Sequence, residues 1–98
     1  SMHSCGVVLA SSGYPGNYKI NKEIDIKNDF NENEKLFHAG TKLEDDKILS
    51  SGGRVFCMTA LGETLEIAID NAYNAIPKIN FEGMFFRSDI GKKGLKND

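Results

Sequence analysis

The chain of 98 residues predicts a small α+β domain, in which one principal helix covers a mainly antiparallel sheet. Two patterns predict this class. Short apolar runs separated by turn-forming residues fill the first part of the sequence and indicate strands. One later segment, 62–77, repeats its apolar residues every three or four positions, as a helix with one buried face does. A chain of this length forms a single modest core, so one domain is expected.

The first strand is predicted over residues 5–10, where residues 7–9 form a compact apolar run. Serine, glycine and proline residues at 11–16 are typical of a turn and end that strand. The polar segment 17–34 is predicted to be a long connection that holds at most one short edge strand.

A β-hairpin is predicted next, because residues 36–43 and 47–51 flank the acidic tip 44–46. Two glycines then turn the chain into a third strand, 54–61. Both alternating faces of this strand are largely apolar, so we expect it to be central in the sheet and covered on two sides.

The principal helix is predicted over residues 62–77. Pro77 ends it, because proline lacks the backbone donor and clashes with the preceding turn. Residues 79–86 are predicted to form one more short strand or extended segment. The apolar stripe of the helix consists of Leu65, Ala68, Ile69, Ala72, Tyr73 and Ile76.

Composition limits the function classes. The 12 basic and 14 acidic residues give a net charge of −2, which argues against a nucleic-acid partner. No apolar run reaches about 20 residues and no secretory leader is visible, so no membrane partner is expected. Two cysteines are too few for a disulfide framework, so reduced thiols and a cytoplasmic location are expected. Residues 1–4 are predicted to be a tag remnant and flexible start, 5–91 the domain, and 92–98 a flexible tail.

Candidate catalytic and metal-binding residues are few. His38 and Cys57 would form a nucleophilic pair if they met across neighbouring strands, but a structural histidine and a buried thiol are commoner. His3 and Cys5 would complete a zinc set with them, at a spacing that matches no zinc motif. The sequence also lacks a glycine-rich phosphate loop, so no catalytic, metal or cofactor-binding residue is predicted.

The segment Gly52-Gly53-Arg54 is the strongest candidate for ligand binding. Paired glycines let the backbone approach a ligand closely, and the planar guanidinium of Arg54 suits a phosphate or a carboxylate. Lys42 and Lys47 precede this segment and Arg87 follows the helix, so these cations are candidates to converge on one anion. On spacing alone, a tight turn followed by a surface arginine is the commoner structure.

The sequence resembles the C-terminal domain of phosphoribosylamine–glycine ligase in five blocks that occur in the same order at similar spacings. Together the blocks extend over nearly the whole chain, which makes the resemblance more specific than any single glycine pattern. They are VLASSGYPG at 8–16, FHAGTK at 37–42, GGRV at 52–55, TALG at 59–62 and FEGMFFRSDIG at 81–91.

The resemblance implies an ATP-grasp enzyme of purine synthesis that joins glycine to 5-phosphoribosylamine and releases ADP and phosphate. ATP and Mg²⁺ would then be bound by preceding domains of the same enzyme, which fits the absence of a nucleotide-binding motif here. The C-terminal domain would pack on that ATP-grasp core, wall the substrate cleft and be inactive alone.

The resemblance also implies basic residues near the phosphate of the substrate. Matched position by position, it points to Arg54 with Gly53, and less securely to Lys42, as substrate-binding residues. Weaker candidates for the cleft wall are Tyr14, Pro15, Gly16, His38 and Thr41. The sequence departs from the family at 92–94, where Lys-Lys-Gly replaces the usual ending with Arg-Ala, so no role is expected for a terminal arginine.

Two alternatives belong to other function classes. An independent carrier or small-ligand binding module would use a lysine near a hairpin tip, but the residues around Lys42 and Lys47 fit no carrier motif. A nucleic-acid-binding sheet would stack bases on tyrosine and phenylalanine rings, and the sequence supplies Phe56, Phe81, Phe85 and Phe86. The absence of a basic stripe argues against this second alternative.

Overall fold

The computed structural model describes residues 2–87. Eight strands, one α-helix and one short 3₁₀ helix follow each other along this part of the chain. In chain order they are β1 (His3–Ser11), β2 (Asp25–Ile26), β3 (Glu34–His38), β4 (Thr41–Glu44), β5 (Lys47–Ser50), β6 (Arg54–Gly62), α1 (Leu65–Ala75), the 3₁₀ helix (Ile76–Lys78), β7 (Ile79–Asn80) and β8 (Met84–Phe85).

The main sheet has four strands in the order β3-β6-β1-β8, and each neighbouring pair is antiparallel. The two nine-residue strands β1 and β6 form its centre, so the predicted central position of β6 is confirmed. Two small ribbons, β2-β7 and β4-β5, complete the strand pairing. The predicted α+β class, with one covering helix and antiparallel strands, is confirmed.

The core lies between helix α1 and one face of the main sheet. Side chains at alternate positions of the two central strands, Val7 and Leu9 on β1 and Met58 and Ala60 on β6, are fully buried. The helix contributes mostly small residues to this interface, which lets it lie close to the sheet. Its buried residues are Ala68, Ile69, Ala72 and Ala75.

The helix begins three residues later than its apolar periodicity predicts. Gly62 still belongs to β6 and pairs with His3, and it lies so close to the backbone of Ala68 that a Cβ would collide there. Thr64 is the N-cap, and its hydroxyl accepts a hydrogen bond from the N–H of Ile67 at 3.1 Å. At the other end Pro77 lies within the 3₁₀ helix, so the α-helix stops before it.

The predicted strand 36–43 is wrong, because it consists of two strands in different sheets. β3 pairs with β6, whereas β4 pairs with β5. Between them, the N–H groups of Ala39 and Gly40 both donate to the carbonyl of Val55, at 2.9 and 3.1 Å. This contact with a third strand turns the chain out of the main sheet, and a local pattern cannot report it.

The ends of the predicted domain also differ in detail. His3 and Ser4, expected to be part of a flexible start, pair with Gly62 and Leu61 in β1. The connection does hold one short edge strand, β2. The predicted strand 79–86 is two short strands separated by a turn, in which Gly83 has φ +81°. The predicted domain boundary at 91 and the tail 92–98 lie outside the described residues.

One face of the main sheet is only partly covered by residues 2–87. Cys57, Thr59 and Leu61 alternate with the buried residues of β6 and are only half-buried, and Val8 on β1 is exposed. The expectation that β6 is covered on both sides is therefore wrong for this part of the chain. We call this surface the open face.

Candidate functional site

The turn Gly52-Gly53-Arg54 joins β5 to β6 and is held against β1. The N–H of Ser11 donates to the carbonyl of Gly53 at 2.7 Å, and the hydroxyl of Ser11 donates to the carbonyl of Gly52 at 3.1 Å. Ser11 is itself buried and Gly52 is half-buried, so these hydrogen bonds are partly sheltered from water. The position of the turn is therefore fixed by the sheet.

Gly53 in this turn and Gly40 beside it allow close packing, because neither has a Cβ. A Cβ on Gly53 would collide with the ring of Tyr14, and a Cβ on Gly40 would collide with the carbonyl oxygen of Arg54. The ring of Tyr14 thus lies directly on the backbone of Gly53. Tyr14 is positioned in turn by its N–H, which donates to the carbonyl of Ser11 at 3.0 Å.

A β-bulge determines where Arg54 lies. The register shifts between Leu9 and Ala10, so that Phe56 faces Leu9 and Arg54 faces Ala10. Val55 is left without a partner on β1 and is fully buried, while Arg54 remains exposed. Bulges bend a strand and redirect its side chains. As a result, Val55 packs in the core, whereas Arg54, the residue before it, is exposed at the surface.

A cavity of about 470 Å³ opens beside this turn. Arg54, Gly53 and Tyr14 line it, together with Gly40 and Cys57. None of the ion pairs among residues 2–87 involves Arg54. A guanidinium carries five N–H donors and stays protonated at neutral pH. The cavity wall therefore has a positive charge that no carboxylate in the described part of the chain neutralises.

Two backbone N–H groups of the same turn have no protein partner among residues 2–87. Within the described residues, the N–H groups of Gly52 and Gly53 donate no hydrogen bond to another protein group. Successive free amides beside a guanidinium suit a multiply charged oxyanion, because each N–H binds one of its oxygens. The arrangement can bind a phosphate or a carboxylate.

The predicted convergence of cations on this site is not observed. Lys42 lies on β4 with its Nζ 3.6 Å from Oε2 of Glu44, and it does not line the cavity. Lys47 lies 3.6 Å from Glu23. Arg87 lines a different cavity, of about 230 Å³. Of the predicted substrate-binding residues, the structure thus brings together Gly53 and Arg54, and it leaves Lys42 apart.

His38 has a structural environment outside this cavity. Its Nδ1 is 2.9 Å from the hydroxyl of Thr41, and its ring makes an edge contact with Phe56 at a centroid distance of 5.0 Å. Phe37, not His38, is the residue of β3 opposite Cys57, so His38 and Cys57 lie on opposite faces of the sheet. They cannot form the nucleophilic pair considered from the sequence.

Cys5 and Cys57 are free thiols on opposite faces of the sheet. Burial, with the nearby Cys57 as a second cause, raises the pKa of Cys5 above its usual range, so its thiol stays protonated. Within residues 2–87, no three His, Cys, Asp or Glu side chains gather as a metal site would require. No helix in the same range has the length and apolar character to cross a membrane.

Comparison with known proteins shows which family the chain belongs to. A sequence model described as "Phosphoribosylglycinamide synthetase, C domain" matches residues 4–93. The chain belongs to this family. The C domain is 47% identical over 90 residues to the phosphoribosylamine–glycine ligase of Synechocystis, and 48% identical over 90 residues to that of Clostridium acetobutylicum.

The C domain also resembles a solved structure. It matches the crystal structure of phosphoribosylamine–glycine ligase from Thermotoga maritima with a TM-score of 0.79 and 38% sequence identity, over 88% of this chain and 21% of that one. The two ligases above are matched over 91% and 92% of this chain but 22% and 21% of their own length. The chain thus spans about a fifth of the relatives that it matches.

Sequence reasoning missed Gly40 and Cys57 as residues of the cavity wall. Gly40 occurs in the block at 37–42, and a glycine within a predicted strand is a signal for close backbone approach. Cys57 gave no signal beyond its place in β6. Tyr14 was a weak candidate from the sequence, and the structure locates it on Gly53.

Proposed function

We propose that this chain is the C-terminal domain of a ligase that joins glycine to 5-phosphoribosylamine, with ATP as the energy source, to give glycinamide ribonucleotide, ADP and phosphate. The observation that carries the proposal is the family match over residues 4–93, with ligases of that name aligned along nearly the whole chain. Preceding ATP-grasp domains would bind ATP and Mg²⁺, and the domain alone would be inactive in a cytoplasmic enzyme.

The proposed role of the domain is to bind the phosphate of 5-phosphoribosylamine. Arg54 would donate from its guanidinium, and Gly53 from its free backbone N–H, into the cavity that both residues line. Arginine matches a phosphate better than lysine, because its planar fork donates two parallel hydrogen bonds to two oxygens. Lys42 is the weaker candidate, since its closest charged partner is Glu44.

Phosphate binding at this turn would serve the reaction by orientation. The reactive amine and the phosphate lie at different positions on the same ribose, so an anchored phosphate limits where the amine can lie. Holding a nucleophile near its acyl target makes a bimolecular step effectively unimolecular. The rigid attachment of the turn to Ser11 suits such an anchor, because the donors do not need to reorganise when substrate binds.

The test is substitution of Arg54 in the complete ligase. Loss of a charged hydrogen bond costs about 1.5–3 kcal/mol, so Arg54→Ala should raise KM for 5-phosphoribosylamine by roughly tenfold to a hundredfold. KM for ATP should stay within about twofold, because ATP would bind to other domains. Steady-state ADP release at varied concentrations of each substrate measures both constants.

Two further variants sharpen this test. Arg54→Lys keeps the charge but loses the planar fork, and we expect an intermediate KM. Lys42→Ala removes a cation of the neighbouring hairpin and should change KM by less than about threefold. Equal increases in the KM of both substrates in Arg54→Ala would contradict phosphate binding, since they would report a general loss of domain structure.

A further inference from the structure

Ser11, the last residue of β1, is one of two buried polar residues among residues 2–87, and Ser50 is the other. Burying a hydroxyl costs free energy unless a hydrogen bond compensates for it. Both serines meet this condition. The hydroxyl of Ser11 donates to the carbonyl of Gly52, and that of Ser50 accepts from the N–H of Lys22. Of the two hydroxyls, only that of Ser11 contacts the turn that precedes Arg54.

Ser11 holds two consecutive carbonyls of this turn by different means. The bond from its N–H to Gly53 uses the backbone, so any residue except proline can make it at position 11. The bond from its hydroxyl to Gly52 requires a side-chain donor. The Gly52 carbonyl accepts no other hydrogen bond from the described residues. Its orientation therefore depends on the side chain of Ser11.

The orientation of that carbonyl also determines where the N–H of Gly53 points. Both groups belong to one planar peptide unit. The unit is trans, because the single cis peptide bond among residues 2–87 is at Tyr14-Pro15. In a trans unit the C=O and the N–H point in opposite directions. Since the Gly52 carbonyl points at the hydroxyl of Ser11, the Gly53 N–H points away from it.

A peptide unit between two glycines has little intrinsic preference for one orientation. Glycine adopts positive and negative φ about equally readily, so this unit can rotate about its flanking bonds. Rotation by about half a turn would place the Gly52 carbonyl oxygen where the Gly53 N–H had been. An N–H binds an oxyanion, whereas a carbonyl oxygen repels one. The orientation of this one unit therefore determines whether the turn attracts or repels a phosphate.

We propose that Ser11 is a positioning residue for phosphate binding. Its hydroxyl holds the Gly52-Gly53 peptide in the orientation that presents the N–H of Gly53, and not the carbonyl of Gly52, to the phosphate of 5-phosphoribosylamine. Ser11 acts through the turn and does not touch the substrate. The inference rests on the proposed function, and it adds that the phosphate site depends on a buried hydroxyl of the neighbouring strand.

The first test is steady-state kinetics of the complete ligase. Ser11→Ala should raise KM for 5-phosphoribosylamine by at least about fivefold, with KM for ATP within about twofold and kcat within about threefold. Ser11→Thr keeps the hydroxyl and should stay within about twofold of the unsubstituted ligase in all three constants. Ser11 lines a separate cavity of about 380 Å³, which leaves space for the added methyl group. An unchanged KM in Ser11→Ala would overturn the proposal.

Ser50→Ala is the matched control, because it removes the other buried hydroxyl and its 3.0 Å hydrogen bond with Lys22. Both alanine variants should lower the unfolding temperature to a similar extent, but only Ser11→Ala should raise KM for 5-phosphoribosylamine. Equal increases in KM would report a general loss of stability and overturn the positioning role. An increase in Ser11→Thr as large as in Ser11→Ala, at an unchanged unfolding temperature, would overturn it as well.

The second test measures the orientation of the peptide by NMR in this 98-residue chain. The coupling constant between the amide and α protons of Gly53 depends on φ of that residue, so rotation of the peptide unit changes it. We expect a different coupling constant in Ser11→Ala from the value shared by the unsubstituted chain and Ser11→Thr. The same coupling constant in all three proteins would overturn the hydroxyl as the group that holds the peptide.

The outcomes separate this inference from the proposed function. If Arg54→Ala raises KM for 5-phosphoribosylamine and Ser11→Ala does not, the phosphate site stands and the role of Ser11 is wrong. If neither variant raises this KM, phosphate binding at the turn is wrong, and the positioning role with it. If both variants raise it and Ser11→Ala also changes the Gly53 coupling constant, the inference is supported.

Discussion

The two faces of the main sheet use the same strands for different purposes. On the helix side, Leu9 and Met58 are fully buried and belong to the core. On the open face, the adjacent residues Val8 and Cys57 remain accessible and line the cavity beside Arg54. Because the side chains of a strand alternate between its two faces, one residue packs in the core while the next residue in sequence lines the cavity. The comparison implies that substitutions on one face should cost stability and those on the other should cost function.

The largest expected effect tests this division within one strand. Leu9→Ala removes a fully buried side chain and should lower the free energy of unfolding by about 2–5 kcal/mol, through lost burial and the cavity that remains. Val8→Ala, one residue away on the open face, should cost less than about 1 kcal/mol. Urea unfolding of the isolated chain measures both values. Similar costs for the two variants would show that the open face also belongs to the folding core.

A smaller loss of stability is expected at the turn, where Gly52 and Gly53 both line the cavity. Gly53→Ala adds a methyl group that collides with the ring of Tyr14, so we expect a loss of about 1–3 kcal/mol. At Gly52 a Cβ would meet its nearest atoms at 3.7 and 3.8 Å, which is ordinary contact, so Gly52→Ala should cost less than about 0.5 kcal/mol.

A double-mutant cycle identifies the cause of the Gly53 effect. If the collision with the ring is responsible, Gly53→Ala should cost much less in a Tyr14→Ala background, because the colliding atoms are gone. An unchanged cost would show that the backbone of the turn, and not Tyr14, excludes a side chain. The assay is again urea unfolding, with all four proteins measured together.

The sequence predicted those features that depend on local pattern. Strand β6 was predicted from a short run that is apolar on both faces, and the helix from an apolar stripe that repeats every three or four residues on its one covered face. The joint presence of Gly53 and Arg54 at one site was predictable because they are adjacent in the chain. The division of 36–43 was not, since it depends on the carbonyl of Val55 in a distant strand.

Two site features were beyond sequence reasoning for the same physical reason. Lys42 is close to Arg54 along the chain, but the β4-β5 ribbon carries it away from the cavity, and ribbon direction is not encoded in residue spacing. The open face was not predicted, because apolar residues on both faces of β6 indicate that both faces are covered but do not identify the segment that covers each of them. Local pattern indicates that a surface is buried, whereas its partner is a property of the whole assembly.

The smallest expected effect lies in the loops rather than on either face. Lys22 Nζ donates to Oε1 of Glu82 at 2.6 Å, and this hydrogen bond, followed by the lysine charge, lowers the pKa of Glu82 below its usual range. A carboxylate whose pKa is lower in the folded state stabilises the fold above its unfolded pKa, and that contribution is lost as pH falls through the folded pKa. Because the Glu82 side chain is 81% exposed, water and salt screen the pair.

The Glu82 prediction is therefore best measured on the group itself. In an NMR titration of side-chain carboxyl carbons, Lys22→Ala should return the pKa of Glu82 towards its usual value, and added salt should do so in part. The change should leave the unfolding midpoint at neutral pH nearly unaffected, unlike Leu9→Ala. If the pKa of Glu82 is the same in Lys22→Ala, the ion pair does not form in solution. A large loss of stability in Lys22→Ala would instead show that this loop contact contributes as much as the core. The difference between the two faces of the sheet would then not explain which contacts stabilise the domain.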